Sequence, residues 1–302
     1  MDKPLVSVIM PAYNAELYIG EAIESVVNQT FRNWELIIIN DGSTDATEKI
    51  ILDFERKDKR IKYLFQENGK QGKARNLGIQ QSRGEYIAFL DADDLWVAQK
   101  LEVQSKLLYN NPETSLIFSN GYAMIGDNVQ IFPIEVKNTW TKDDIPLFIQ
   151  NNRIPILSVI VKKVALLSVR GFSEAKEIQN VEDYHLWLKL LFNGFEFMSI
   201  ENPLFIYRVH PLQSTFDGSN TANPIVNMFI NLRDQWQTNR YDIPLIKRLK
   251  WFLFDHEIGD YFNCFLCLLL SSSRPVSVRL FKTISNLNIG KVRQKLLFHL
   301  CP

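Results

Sequence analysis

Gly84-Glu85-Tyr86-Ile87-Ala88-Phe89-Leu90-Asp91-Ala92-Asp93-Asp94 runs an apolar strand straight into three carboxylates. Carboxylates this close repel one another unless a cation sits among them, and a hard divalent ion carrying phosphate oxygens supplies that cation. The plainer alternative is that Asp93 or Asp94 caps a helix following from Leu95. What the rest of the chain brings to the same place decides between them.

Upstream, the same scheme repeats. Val6-Ser7-Val8-Ile9-Met10 is an apolar run closed by Pro11, and Leu17, Ile19, Ala22, Ile23, Val26 and Val27 at helical spacing predict a helix over 15–29. A β-rich run over 34–40 ends at Asp41-Gly42, with a second helical pattern over 44–56. A strand over 61–65, a helix over about 72–82 and a strand over 86–90 complete β-α-β-α-β-α-β. That order predicts an α/β fold with a mainly parallel central sheet flanked by helices. Such sheets bind ligands beyond the carboxyl ends of their strands. Pro11-Ala12-Tyr13-Asn14, Asp41-Gly42 and Asp91-Ala92-Asp93-Asp94 all fall there, so three polar loops gather on one rim.

Downstream the pattern predicts a helix over 97–110, strands over 115–124 and 129–132 around the turn Gly126-Asp127-Asn128, and a strand over 156–161. A helix over 180–192 and short strands over 195–200 and 204–209 follow, and beyond Thr221 the pattern is mostly helical. The division expected is a catalytic domain over 1–215 and a helical extension over 216–302.

Composition narrows the partners. The 302 residues, 46% hydrophobic and 23% charged, are those of an ordinary globular chain. Lys+Arg and Asp+Glu balance at 34 each, so no basic field points to nucleic acid. Cys264 and Cys267 form a C-x-x-C with no second pair to complete a zinc site, and with Cys301 they read as small hydrophobes. No secretory leader precedes Val6, and the apolar stretch over 251–270 is interrupted by Asp255, His256, Glu257 and Asp260, short of the ~20 residues a crossing needs. A cytoplasmic protein is expected. Residues 271–302 carry Arg274, Arg279, Lys282, Lys291, Arg293 and Lys295 and no acid, interleaved with apolar residues. Such a tail either lies on the anionic inner face of a membrane or packs on its own domain.

Two nucleotide sites can be set aside. A dinucleotide fingerprint needs glycines directly after the first strand, and here the first glycine is Gly20. A P-loop fails because Ala74 stands where its hydroxyl belongs.

The blocks that remain are collinear. Val6 through Asn14, Glu35-Leu36-Ile37-Ile38-Ile39-Asn40-Asp41-Gly42-Ser43-Thr44-Asp45, Ala74-Arg75-Asn76, Gly84-Glu85-Tyr86, Leu90 through Asp94, Glu182-Asp183-Tyr184 and Tyr207-Arg208-Val209-His210 resemble, in order, the successive blocks of the family 2 glycosyltransferases. The resemblance covers roughly residues 5–210 and implies a GT-A-like fold. It implies that Tyr13 faces a uracil ring, with Pro11, Ala12 and Asn14 shaping the pocket floor. Asp41 would accept from a pyrimidine N–H and Arg75 donate to base or phosphate oxygens. Asp93 would be the ligand of a Mn²⁺ or Mg²⁺ ion, with Asp91 contacting the donor or that metal and His210 approaching the pyrophosphate or the metal. Asp183 would be the base that takes the acceptor's proton. Each residue also has a simpler reading: Tyr13 a core ring, Asp41 a turn residue, Arg75 a surface cation, His210 a structural strand end, and Asp183 a first-turn acid under an Asn180 cap.

The activity implied is inverting, metal-dependent transfer of one hexose, with UDP-glucose the expected donor. The expected acceptor is a lipid-linked, undecaprenyl-diphosphate sugar of bacterial O-antigen or surface polysaccharide assembly. No Gln-x-x-Arg-Trp block occurs, so non-processive transfer is expected. His185 follows Tyr184 where members of the resembled family often carry an acid, a change the sequence does not explain and that leaves acceptor preference open. A sugar nucleotidyltransferase and a non-catalytic carbohydrate-binding subunit remain as alternatives.

Overall fold

The computed structural model describes residues 6–211 and 213, and, in helical conformation, 224, 225, 227–229, 231 and 232. Strands β1 (Val6–Ala12) and β2 (Trp34–Asn40) are buried at every position, as strands covered on both faces must be. They pair in parallel with each other, β2 with β3 (Ile61–Phe65) and β1 with β4 (Tyr86–Phe89). Side chains alternate between two cores. Ile9, Ile37 and Ile39 meet Ala74 and Ile79 of α3 (Lys70–Gln81). Val8, Met10, Leu36 and Ile38 meet α1 (Ile19–Val27) and Ile51 of α2 (Thr47–Lys57). Gly78 lets α3 lie flush on the sheet, because a Cβ there would sit 2.5 Å from Ile9 Cγ2 and 3.0 Å from Ile39 Cδ1.

Beyond β4 the sheet also takes in antiparallel strands. After the two-residue strand β5 (Leu95–Trp96) and α4 (Lys100–Asn110) come the hairpin β6 (Thr114–Ile125) and β7 (Asn128–Phe132), then α5 (Ile145–Gln150), β8 (Ile160–Lys162), α6 (Lys163–Ser168), α7 (Glu182–Phe192) and β9 (Glu196–Val209). The sheet order is β3-β2-β1-β4-β8-β6-β9-β5, with β7 on β6. It is mainly parallel with antiparallel members: β6 pairs in parallel with β9, while β8 runs antiparallel to β4 and β6, β5 to β9 and β7 to β6. The 3₁₀ turn Ile156–Ser158 lies at the carboxyl rim, so the strand leaving it runs back from that rim. The strand expected over 156–161 is thus this turn followed by β8.

Other boundaries differ as well: α1 and α2 start later than the helices expected over 15–29 and 44–56. The two strands expected over 195–200 and 204–209 are one, β9, and Pro203, read as a break, sits opposite Asn120 where the register against β6 shifts. The helix expected over 97–110 starts only at Lys100, and Leu95 and Trp96 pair instead with Ile206 and Phe205. No side chain caps α7, whose N-cap position is Val181; Asn180, expected there, has a left-handed φ of 69°.

Met228, Phe229 and Leu232 are buried in the same core as α7, with the Phe229 ring edge-on to Tyr184 at 6.2 Å. The expected boundary at 215/216, Cys264, Cys267, Cys301 and the basic stretch over 271–302 lie outside the described residues. Among the described residues, no helix is long and apolar enough to cross a membrane.

Candidate active site

The rim is built by loops that clip to one another. Asn14, at a left-handed φ of 48°, accepts from Thr44 N through Oδ1 (2.8 Å), and its own N–H bonds Ser43 Oγ (3.0 Å). Ala15 N donates to Thr47 Oγ1 (2.8 Å), so the loops after β1 and β2 form one unit. Pro11 and Ala12 are buried beneath it. Tyr13 is 53% exposed, which excludes a core ring and leaves its face to the cleft.

Asp41 is more than a turn residue. It is 4% exposed; Oδ1 accepts from Gln66 Nε2 (2.6 Å) and Gly69 N (2.7 Å), and Oδ2 from Lys70 N (2.9 Å). A carboxylate offers about four acceptor positions, so about one is left for a ligand N–H.

Arg75 is not a surface cation. Its side chain is 3% exposed, with Nη2 donating to Asp91 Oδ1 (2.7 Å) and Nη1 to Glu182 Oε1 (2.9 Å). Burial disfavours its charge, but Asp91 and Glu182 outweigh burial and raise its pKa. Each terminal nitrogen gives one N–H to the protein and keeps a second, and through those two bonds Arg75 ties the acidic rim to the start of α7.

The acidic loop carries more negative charge than its neighbours balance. Asp93 Oδ2 lies 3.1 Å from His210 Nε2, and burial, then the nearby Asp91, raise the Asp93 pKa. Asp94 is 2% exposed and its pKa is pushed well up by burial, then by Asp93 and Asp91. Its Oδ1 accepts from Arg208 N of β9 (2.8 Å), so Asp94 holds a strand and caps no helix. The His210 ring packs on Tyr18 at 4.5 Å, and its buried Nδ1 has no partner.

This donor set fits a hard cation that arrives with phosphate. Mg²⁺ and Mn²⁺ at such sites take one or two carboxylates and fill their remaining positions from phosphates and water. Among the described residues, no group of three or more His, Cys, Asp or Glu side chains is arranged to hold a metal alone. Asp93, with Asp91 and His210 beside it, would hold the ion, which supplies stabilisation of charge on a departing diphosphate.

Asp183 stands in the first turn of α7, directly after Glu182. Its Oδ1 accepts from Tyr184 N (2.7 Å) and its Oδ2 from Asn152 Nδ2 (2.9 Å). Burial, then the neighbouring Glu182, lift its pKa to about 6 against the pull of Arg75. A carboxylate poised there is suited to accept a proton near neutral pH.

Pro11, Ala12, Tyr13, Asn14, Asp41, Arg75, Asp91, Asp93, Asp183 and His210 all line one cavity of about 770 Å³. His185 does not join them. It is fully buried with Nε2 3.0 Å from Asn231 Oδ1, and burial pulls its pKa down to about 3.

Three residues with parts in this site had been given none from the sequence. Glu182 anchors Arg75 and was legible as the neighbour of Asp183. Asn76 stood in a quoted block; its Nδ2 donates to Phe172 O (3.0 Å) and its Oδ1 accepts from Phe172 N (2.9 Å), fixing the loop over α3. Asn152 gave no signal, being joined to Asp183 only by the fold.

The sequence model described as glycosyl transferase family 2 matches residues 7–163, more than half of the chain. The chain belongs to glycosyl transferase family 2. The UDP-Glc:α-D-GlcNAc-diphosphoundecaprenol β-1,3-glucosyltransferase WfgD of Escherichia coli is 37% identical over 239 residues, covering 78% of this chain and 85% of that protein. Among solved structures, S. aureus TarS 1–349 in complex with UDP-GlcNAc superposes with a TM-score of 0.64 at 18% identity, covering 98% of this chain and 79% of that one. The match spans 44% of a longer TarS chain, with a TM-score of 0.60. The mannosyltransferase PcManGT from Pyrobaculum calidifontis, in complex with GDP-Man and Mn²⁺, gives 0.53 at 15% identity, covering 98% and 80%. The family 2 protein thus has the GT-A-like fold, and it is a glycosyltransferase. The nucleotidyltransferase and non-catalytic readings fall away.

Proposed function

We propose that this family 2 enzyme is an inverting, non-processive, metal-dependent glycosyltransferase. It moves glucose from UDP-glucose to a hydroxyl of an undecaprenyl-diphosphate-linked sugar in bacterial O-antigen or surface polysaccharide assembly. What carries the reading is that the Asp93 carboxylate, paired with His210, and the Asp183 carboxylate line the same cavity. Uracil lies against Tyr13 with its N–H on the open position of Asp41, and Pro11, Ala12 and Asn14 bound its pocket. Asp183 draws the proton from the acceptor hydroxyl as that oxygen attacks the anomeric carbon. One base opposite the leaving group gives inversion.

Similarity to WfgD, named for UDP-Glc and a diphosphoundecaprenol-linked GlcNAc, supports the choice of donor and acceptor. Neighbours solved with UDP-GlcNAc and with Mn²⁺ support a nucleotide-sugar donor and a divalent ion. The catalytic domain is placed at 1–215, and the basic stretch over 271–302 is assigned peripheral contact with the inner membrane face.

The test is UDP release and product NMR with UDP-glucose, Mn²⁺ and diphosphoundecaprenol-linked GlcNAc. A β-linked disaccharide from the α-linked donor is expected. An α-linked product overturns inversion, and turnover with other sugar nucleotides alone overturns the donor.

A further inference from the structure

Asn152 sits in the segment between α5 and the turn Ile156–Ser158, and 31 residues separate it from Asp183. Its amide has a fixed orientation. Oδ1 accepts from Ile154 N at 3.2 Å, which leaves Nδ2 as the atom aimed at Asp183 Oδ2, 2.9 Å away. Reversing the amide would set two oxygens against each other and leave Ile154 N without that acceptor. Tyr184 N holds the other carboxylate oxygen. The Asp183 carboxylate is therefore gripped once on each oxygen, with lone pairs left over for an incoming hydroxyl.

The segment bearing Asn152 is docked on the helix that bears Asp183. Trp187 Nε1 donates to Ile154 O (3.2 Å), and the Tyr184 hydroxyl bonds Phe148 O (2.6 Å) and Ile149 O (2.9 Å). Asn152 and Asp183 thus ride on one packed unit. Asn152 itself is exposed and lines the cavity, so changing it removes no core contact.

We propose that Asn152 is a positioning residue for the transfer: it holds the Asp183 carboxylate in the one orientation that meets the acceptor hydroxyl. This rests on Asp183 being the base. The charged and titratable groups around Asp183 are Glu182 and Tyr184 on its own helix, Arg75 on α3, and Arg153, which pairs with Glu135. Among the described residues, the one side-chain hydrogen bond to Asp183 comes from Asn152. Losing a donor to a carboxylate raises its pKa.

Asn152→Ala and Asn152→Asp are assayed across pH beside Asp183→Asn. Asn152→Asp keeps the acceptor for Ile154 N and replaces only the donor. Expected for both is kcat at pH 7 lower by about tenfold or more, with donor KM within about twofold. The acid limb of the pH–kcat profile moves up by about one unit, further for Asn152→Asp, whose carboxylate repels that of Asp183. Melting temperature stays near the parent's. A purely structural role lowers kcat in step with melting temperature and leaves the acid limb in place, which overturns the proposal. Parent-like kcat and acid limb in both variants, with Asp183→Asn inactive, overturn it alone; near-normal turnover in Asp183→Asn overturns the base assignment and this proposal with it.

Discussion

Arg75→Met tests the tie between the two ends of the cleft. The guanidinium holds Asp91, 26% exposed, and Glu182, 7% exposed, at 2.7 and 2.9 Å. Water screens Asp91 once its partner is gone, so that half contributes little. Glu182 is left as a buried charge. Removing one partner of a buried pair costs roughly 3–5 kcal/mol, and with one of the two bonds largely screened we expect about 3 kcal/mol. Urea unfolding of the parent, Arg75→Met, Glu182→Gln and the double variant measures this directly. Neutralising Glu182 should recover much of the loss, a coupling of about 2 kcal/mol. Arg75→Met within about 0.5 kcal/mol of the parent, or a double variant no more stable than Arg75→Met, refutes the reasoning.

Asp183→Asn should bind UDP as the parent does while turnover falls by about 10²–10⁴-fold. In the parent the base works deprotonated and its pKa is lifted to about 6, so kcat is full above that pH and is lost as pH falls through it; a limb near 4 would contradict the assignment. Dialysis against EDTA should abolish turnover and added Mn²⁺ or Mg²⁺ restore it, with Asp93→Asn needing more metal in a titration. Glu35, 1% exposed, is held at a pKa of about 2 because bonds from Ser7 Oγ, Arg83 N, Lys62 and Arg83 outweigh burial. A depressed folded pKa stabilises above the unfolded value near 4.5 and is lost as pH drops toward 2. Glu35→Gln should thus cost about 3 kcal/mol at pH 7, a difference from the parent that narrows at pH 3 in urea unfolding.

The first half of the sheet was legible because its strands are buried on both faces and end in loop residues with plain chemistry. Residues 34–40 and 61–65 were read to the residue. The second half was not, since β5 is two residues long and exists only through its pairing with β9, and Pro203 looks like a terminator until its partner strand is known. In the cleft, Tyr13, Asp41, Asp93 and Asp183 could be named because each stands in a short local block. Arg75 was named from its block while its protein partners were not: a guanidinium in a helix reads as solvent-facing, and only the fold brings Asp91 and Glu182 to it. Asn152 carries no pattern of its own, so distance in the chain hid it.

The bond from Arg208 N to Asp94, together with the pairing of Leu95 and Trp96 to Ile206 and Phe205, sets an order on the birth of this enzyme. The acidic loop is made early, yet its carboxylates are fastened by a strand translated more than a hundred residues later. A nascent chain halted at residue 163, where the family match stops, lacks both Asp183 and the strand that secures Asp94. Such a fragment would hold the acidic loop without the backbone donor that fastens it.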